Sequence, residues 1–386
     1  MPPRLTFACA LACGVMVANL YYAQPLIALM GPSLHLSAGL GGLIVSVTQL
    51  GYGAGLFLIV SLADRVENRR LILTTQLCAA LALAAAAMAP SAPFFLVASA
   101  VVGISSAGAQ VVVPFAAALA PEESRGRTIG NVMAGLLAGI MLARPAASII
   151  ANFAGWRTVF WISSGLMLVL AGWLARVLPE RHPHEPQSYR QILVSMLHIL
   201  KGSRTLQRRA VYQGLAFAIF NIFWTASPLM LAHSFGFTQK GIALFALAGA
   251  GGALIAPIAG RLGDRGHLWI GTAIALTTLV ASCVLSGWAL VWGSMPLLVI
   301  LAITLDGGTQ LNQILGQRVV FALRPEARGR VNAIYMTIVF IFGAAGSSLA
   351  TLSYQRGGWW AAMLVAAGLG LIGLALFATE RRAPMT

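Results

Sequence analysis

Of the ten acidic residues in this chain, Asp306 alone falls in the middle of a long apolar run. An ionised side chain at that depth in hydrocarbon costs about 3 kcal/mol or more, so it is kept only for a purpose or a partner. Its basic counterpart is Arg144, inside a different apolar run and directly followed by Pro145. A carboxyl group there can bind and release a proton, because burial and a positive partner change its proton affinity in opposite directions. The alternative is a structural pair between Asp306 and Arg144, since buried ion pairs also serve specificity. A guanidinium presents a planar fork suited to carboxylate or phosphate, so Arg144 reads either as an anion anchor or as a gating residue.

Polar residues follow helical spacing around these two charges. Asp306, Gln310, Gln313 and Gln317 lie at i, i+4, i+7 and i+11 and share one helix face. Ser99, Gly103, Ser106 and Gln110 repeat that spacing, as do Gln213, Phe217, Asn221 and Trp224, while Asn19, Tyr22 and Gln24 cluster near the start of the chain. No nucleophile constellation accompanies them, so an enzyme is not expected. Cys9, Cys13, Cys78 and Cys283 lie singly in apolar runs and read as small core residues. His182 and His184 lack further ligands, so neither a metal site nor a cofactor is expected.

The elements carrying these residues belong in a bilayer. The chain is 59% hydrophobic and 9% charged, against about 25% charged in soluble domains. Apolar windows predict twelve spanning helices, near 5–29, 37–60, 70–89, 93–120, 127–150, 156–178, 209–232, 238–260, 268–291, 295–322, 330–353 and 358–378. The first is too long for the apolar part of a signal peptide. The expected organisation is a six-helix bundle over 1–178, a linker over 179–208 with an amphipathic interfacial helix near 188–201, and a second bundle over 209–386. All but four of the 25 Lys and Arg residues, the exceptions being Arg144, Arg157, Lys240 and Arg356, fall in alternate gaps on one side. The positive-inside rule makes that side, with both termini, cytoplasmic. The +15 net charge therefore reports topology, and no nucleic-acid partner is expected.

The two halves repeat. Asn19-Leu-Tyr-Tyr-Ala-Gln-Pro25 echoes Asn221-Ile-Phe-Trp-Thr-Ala-Ser-Pro228, and Leu62-Ala-Asp-Arg65 echoes Leu262-Gly-Asp-Arg265. Pro121-Glu-Glu-Ser-Arg-Gly-Arg127 pairs with Pro325-Glu-Ala-Arg-Gly-Arg330, and Gly155-Trp156 with Gly358-Trp359. Six spans per half make these parallel repeats, an architecture of transporters whose site lies at the repeat interface.

The run Val60-Ser-Leu-Ala-Asp64-Arg65-Val-Glu-Asn-Arg69-Arg70 and its fainter copy Gly260-Arg-Leu-Gly-Asp264-Arg265 resemble the loop between helices 2 and 3, and between 8 and 9, of the major facilitator superfamily. The family's two glycines in the first copy are replaced by Val60 and Glu67. The resemblance implies an all-α fold of two pseudo-symmetric six-helix bundles with a cavity lined by helices 1, 4, 7 and 10. On that reading Asn19, Tyr22, Gln24, Ser106, Gln110, Asn221, Trp224, Gln310 and Gln313 bind substrate. Asp64, Arg65, Arg69, Asp264, Arg265, Arg125, Arg127, Arg328 and Arg330 are similar to the family's cytoplasmic gating groups; topology alone is the competing explanation for the arginines.

Within the family the chain resembles the drug:proton antiporter and sugar-efflux-like bacterial branch. It departs from that branch at Ser99, where an arginine is usual, and in the fifth helix, where Gly135-Leu-Leu-Ala-Gly139 is not followed at once by proline. The resemblance implies a monomeric secondary transporter in a bacterial inner membrane, exporting a small molecule in exchange for protons. A proton-coupled importer or facilitator, and a non-transporting membrane sensor, are the alternatives.

Overall fold

Apolar chain in a bilayer must satisfy its backbone hydrogen bonds internally, which favours helices. The computed structural model describes residues 2–183, 188–324 and 327–380, and no strand occurs among them. The first half contains α1 (Pro3–Ala18), α2 (Ile27–Ser33), α3 (Leu43–Leu62), α4 (Asn68–Met88), α5 (Ala92–Ser106), α6 (Ala109–Leu119), α7 (Arg125–Ala154) and α8 (Trp156–Val177). The linker helix α9 (Tyr189–Gly202) follows. Then come α10 (Arg204–Phe235), α11 (Gln239–Ala246), α12 (Ala248–Gly251), α13 (Ala256–Asp264), α14 (Leu268–Val291), α15 (Met295–Leu323) and α16 (Arg328–Ala378).

Among the described residues nine helical segments are long and apolar enough to cross a membrane, with α5 and α6 taken together. Two more crossings are interrupted helices, α1 with α2 and α11 to α13. The twelfth comes from α16, whose 51 residues contain non-helical backbone at Gly357 and Gly358. The twelve expected spans are therefore present, and the main difference is continuity. The first span breaks over residues 19–23, the fourth at 107–108, and the eighth around Leu247 and the 3-10 turn Gly252–Ile255. In the eighth, clustered glycines weaken the helix and Pro257 withholds an N–H from the carbonyl four residues earlier.

Contacts divide the chain into two units. One comprises Met1–Leu36, Val47–His198 and Thr238–Ala243; the other comprises Ser37–Ser46, Ile199–Phe237 and Leu244–Thr386. In the first, α1 packs on α7 and α4 on α8; in the second, α10 and α14 both pack on α16. Close approach sets the first contact. A Cβ at Gly139 would strike the backbone of Gly14, which is how small residues bring membrane helices together.

The Gly-Trp repeat has one backbone cause. Gly155 and Gly358 have φ of +80° and +63°, which side chains disfavour, and each turns the chain into the next span. The following Trp156 and Trp359 are buried, donating from Nε1 to Ser33 Oγ (2.9 Å) and to the Ser286 carbonyl (3.0 Å).

Large apolar side chains such as Leu81, Phe153 and Leu254 stand on the outer faces, as lipid-facing helices require. Cys78 corrects the expectation of four core cysteines. It is exposed on α4, where a thiol is as compatible with lipid as with protein, whereas Cys9, Cys13 and Cys283 are buried.

The linker returns to the first unit. Glu67 caps α4 by accepting from the backbone N–H groups of Arg69 and Arg70 (both 2.7 Å), and also from that of Arg181 (3.2 Å). Arg181 in turn donates to Asn68 Oδ1 (2.6 Å). Beyond the undescribed residues, α9 buries Ile192 and Met196, and Tyr189 donates to the Leu58 carbonyl (2.9 Å). Val194 and Leu197, on its other face, are exposed.

Candidate functional site

In the first unit the break in span 1 exposes a side-chain network to its neighbours. Asn19 donates to Ser106 Oγ (3.3 Å) and accepts from Ser163 Oγ (2.8 Å), and Tyr22 hydrogen-bonds to the same serine. Ser106 ends α5 at the break in span 4, so two helix interruptions meet at one hydrogen bond. On the far side of that break, Gln110 donates to the Tyr52 hydroxyl (3.2 Å). Arg144 is buried on α7, where its Nε donates to Gln24 Oε1 (2.8 Å) and its guanidinium lies 5.1 Å from the centre of the Tyr21 ring. The expected residues Asn19 and Ser106, and separately Gln24 and Arg144, are thus brought together.

In the second unit Asp306 is buried on α15, and Trp224 of α10 donates to its Oδ1 (2.7 Å). Trp224 sits within an aromatic group with Phe220, Phe223 and Phe245, ring centres 5.5 to 6.5 Å apart. The broken eighth span covers the carboxyl group. A Cβ on Gly249 would lie 2.8 Å from Asp306 Oδ2, and one on Gly252 would strike Asp306 Cβ. Discontinuous helices of this kind frame midplane sites in transporters, because unwound backbone presents polar groups to a cavity.

Asn221 donates to the Phe217 carbonyl (2.8 Å) and accepts from Ser347 Oγ (3.3 Å). Ser347 is the residue that the repeat aligns with Arg144. The glutamine stripe divides: Asp306 faces Trp224, while Gln313 approaches Met336 Sδ (3.2 Å), Gln317 reaches Asn332 Oδ1 (3.4 Å), and Gln310 is half-buried. Gln213 accepts instead from Asn312 (2.7 Å), a partner the spacing did not reveal.

The charged loop residues fall into several pairs. Arg69 donates to the Ala175 carbonyl and pairs with Glu180 (3.6 Å). Asp264 pairs with Arg318 (2.6 Å), a residue that sequence reasoning did not connect to it. Asp64 is half-buried and Arg330 likewise, whereas Arg65, Arg125, Arg127, Arg265 and Arg328 are exposed. Two further groups escaped notice. Arg209 is buried between Thr272 Oγ1 (2.8 Å) and Glu380 (3.4 Å), and Gln76 is a fully buried amide on α4 whose side-chain atoms have no hydrogen-bond partner. A lone glutamine in an apolar run was the available signal for the second.

Among the described residues no three or more His, Cys, Asp or Glu side chains gather as metal ligands. His182 is exposed, and His184 lies outside the described residues.

Other proteins share this architecture. Over 378 residues the chain is 39% identical to the uncharacterized transporter YgaY of Escherichia coli O157:H7, covering 97% of this chain and 95% of that one. It is 24% identical over 380 residues to the chloramphenicol resistance protein of Streptomyces lividans, covering 95% of each. The inward-facing, unoccupied crystal structure of a bacterial homolog of the human lysosomal transporter Spinster shares its fold, with TM-score 0.76, 14% identity and complete coverage of both chains. The sequence profile of the Major Facilitator Superfamily matches residues 7–309 and again 209–386. A profile that fits most of the chain and then its second half again is what an internal repeat produces, and the chain belongs to the major facilitator superfamily, whose members are multi-pass membrane transporters of small molecules and not enzymes.

Proposed function

We propose that the protein is a proton-coupled exporter of a small organic molecule, a monomer of the bacterial inner membrane with both termini in the cytoplasm. The observation that carries the coupling is the buried Asp306 carboxyl group, hydrogen-bonded through Oδ1 to Trp224 and covered by a broken helix. An opening of the broken span admits water to the carboxyl group, which then exchanges its proton. Export is favoured by the likeness to a chloramphenicol resistance protein, and orientation by the basic loops. On the first unit Asn19, Tyr22, Gln24, Ser106 and Gln110 are the candidate substrate contacts, with Arg144 as anchor for a negative group, and on the second unit Asn221, Trp224, Gln310 and Gln313 are. The charged ends of the spans, Asp64, Arg65, Arg69, Arg125, Arg127, Asp264, Arg265, Arg328 and Arg330, balance the open and closed states.

The test is transport in proteoliposomes with and without an imposed pH gradient. The wild-type protein is expected to move its substrate against a gradient only when protons can flow, and Asp306→Asn to lose that response while keeping downhill exchange. Wild-type coupling in Asp306→Asn would refute the proton role.

A further inference from the structure

Side-chain hydrogen bonds join α10 to α15 at two levels. Trp224 Nε1 donates to Asp306 Oδ1 (2.7 Å), and nearer the start of α10 Gln213 Oε1 accepts from Asn312 Nδ2 (2.7 Å). Gln213 and Asn312 are each 2% exposed, so two neutral amides are buried against one another between the helices. The first half of the chain has no such glutamine. Its Asn19 aligns with Asn221, which puts Leu11 opposite Gln213, so the amide belongs to the half that carries the intramembrane acid.

A hydrogen bond between polar side chains of two membrane helices adds little to stability, because separated helices find other partners. Its larger effect is on register. A slip of α10 along α15 would leave both buried amides unpaired, which is more unfavourable than one hydrogen bond is favourable. A single buried asparagine fixes the register of coiled coils for the same reason.

Apolar packing around Asp306 gives α10 little to key against. The nearest packed group to a Cβ on Gly307 would be Ile255 Cβ, at 4.0 Å, and a Cβ on Gly308 would face the Ala275 carbonyl of α14, at 3.2 Å. The Thr309 hydroxyl turns back to its own helix, donating to the Leu305 carbonyl (3.0 Å). The next residues of α15 to be buried are Leu311 and Asn312, and Asn312 is the one that bonds to α10.

We propose that Gln213 and Asn312 are positioning residues that hold α10 and α15 in the register at which Trp224 reaches Asp306. They act through the two helices, at a distance from the carboxyl group. The consequence for proton exchange rests on the role proposed above for Asp306; the register itself does not.

Nuclear magnetic resonance of the full chain in detergent, with nitrogen-15 at the indoles of its nine tryptophans, tests the inference. The Trp224 indole N–H signal is the one absent from Trp224→Phe, and Asp306→Leu gives its position without the carboxyl acceptor. Asn312→Leu should move the signal from the wild-type position towards that of Asp306→Leu. Gln213→Leu combined with Asn312→Leu leaves neither amide unpaired, so it should unfold at the wild-type temperature and still show the displaced signal. The exchanged pair Gln213→Asn with Asn312→Gln should restore the wild-type signal. Gel filtration and thermal unfolding check that each variant is folded, and the double leucine variant carries the test where Asn312→Leu alone does not fold. A wild-type Trp224 signal in the folded double leucine variant would show that packing sets the register and would overturn the proposal. So would a folded exchanged pair whose signal stays displaced. These spectra need no substrate and no pH gradient, so they decide the register separately from the proteoliposome test of Asp306.

Discussion

Trp224 Nε1 donates to Asp306 Oδ1 across 2.7 Å, so the acid of the tenth span is held by an aromatic residue of the seventh. The two halves of the chain have diverged around such contacts: the repeat places Ser347 where the first half carries Arg144, and Ser347 donates to the neutral Asn221.

Trp224→Phe keeps the ring and removes the donor. A hydrogen bond to a carboxylate is worth about 2 kcal/mol, so the carboxyl group loses its fixed position and transport should fall about thirty-fold. Proteoliposome flux measures this, and unchanged flux would show that the hydrogen bond is dispensable.

Gly249→Ala and Gly252→Ala test whether the eighth span must come this close to Asp306. At Gly249 the new methyl meets a carboxylate oxygen and the edge of Trp224, groups at the ends of side chains. At Gly252 it meets Asp306 Cβ and backbone, which have less room to move. Overpacking costs about 1–3 kcal/mol, with Gly252→Ala expected at the upper end. Thermal unfolding in detergent should rank the two variants in that order.

Arg144→Lys retains the charge and loses the planar fork that reaches Gln24 and stacks over Tyr21. For a substrate with a carboxylate or phosphate, KM should rise on the order of ten-fold, the equivalent of one charge-assisted hydrogen bond. A neutral substrate should be little affected. Equal effects on both would point to a gating role instead.

Glu67 provides a pH signature outside the spans. Burial alone would raise its carboxyl pKa, but the backbone N–H groups of Arg70, Arg181 and Arg69 outweigh burial and hold it below the usual glutamate range. A carboxyl group lowered in the folded state stabilises above its unfolded pKa of about 4.3, and that stability is lost as pH falls through the folded value. Glu67→Gln should therefore cost about 1 kcal/mol at pH 7, as lost helix caps do, and progressively less in acid. Thermal unfolding of both proteins across pH 3.5 to 7 reads the difference; a penalty that does not shrink in acid would contradict it.

Helices and membrane character were legible because they follow from composition and the length of apolar runs, and the repeat was legible from short matches such as Gly155-Trp156 and Gly358-Trp359. The breaks in spans 1, 4 and 8 were not, since an interrupted helix has the same apolar text as a continuous one. Asp306 and Arg144 stood out as charges against an apolar background. Their partners did not: the indole of Trp224 and the amide of Gln24 are ordinary residues in sequence and acquire meaning only when two helices meet. The Asp264 partner Arg318 was hidden because it lies 54 residues further along, on a different helix. Glu67 was noticed only as a missing glycine, whereas its role depends on the distant Arg181 backbone.

The linker's attachment to the first unit bears on synthesis. Glu67, Asn68, Leu58 and Ser61, whose hydroxyl donates to Met196 Sδ (3.0 Å), belong to chain made before α10 emerges from the ribosome. The nascent first half can therefore fasten its own trailing segment while the remaining spans are still being translated, in keeping with domain-by-domain maturation. A polypeptide released just after Lys201 would already carry the partners of Tyr189, Arg181 and Met196.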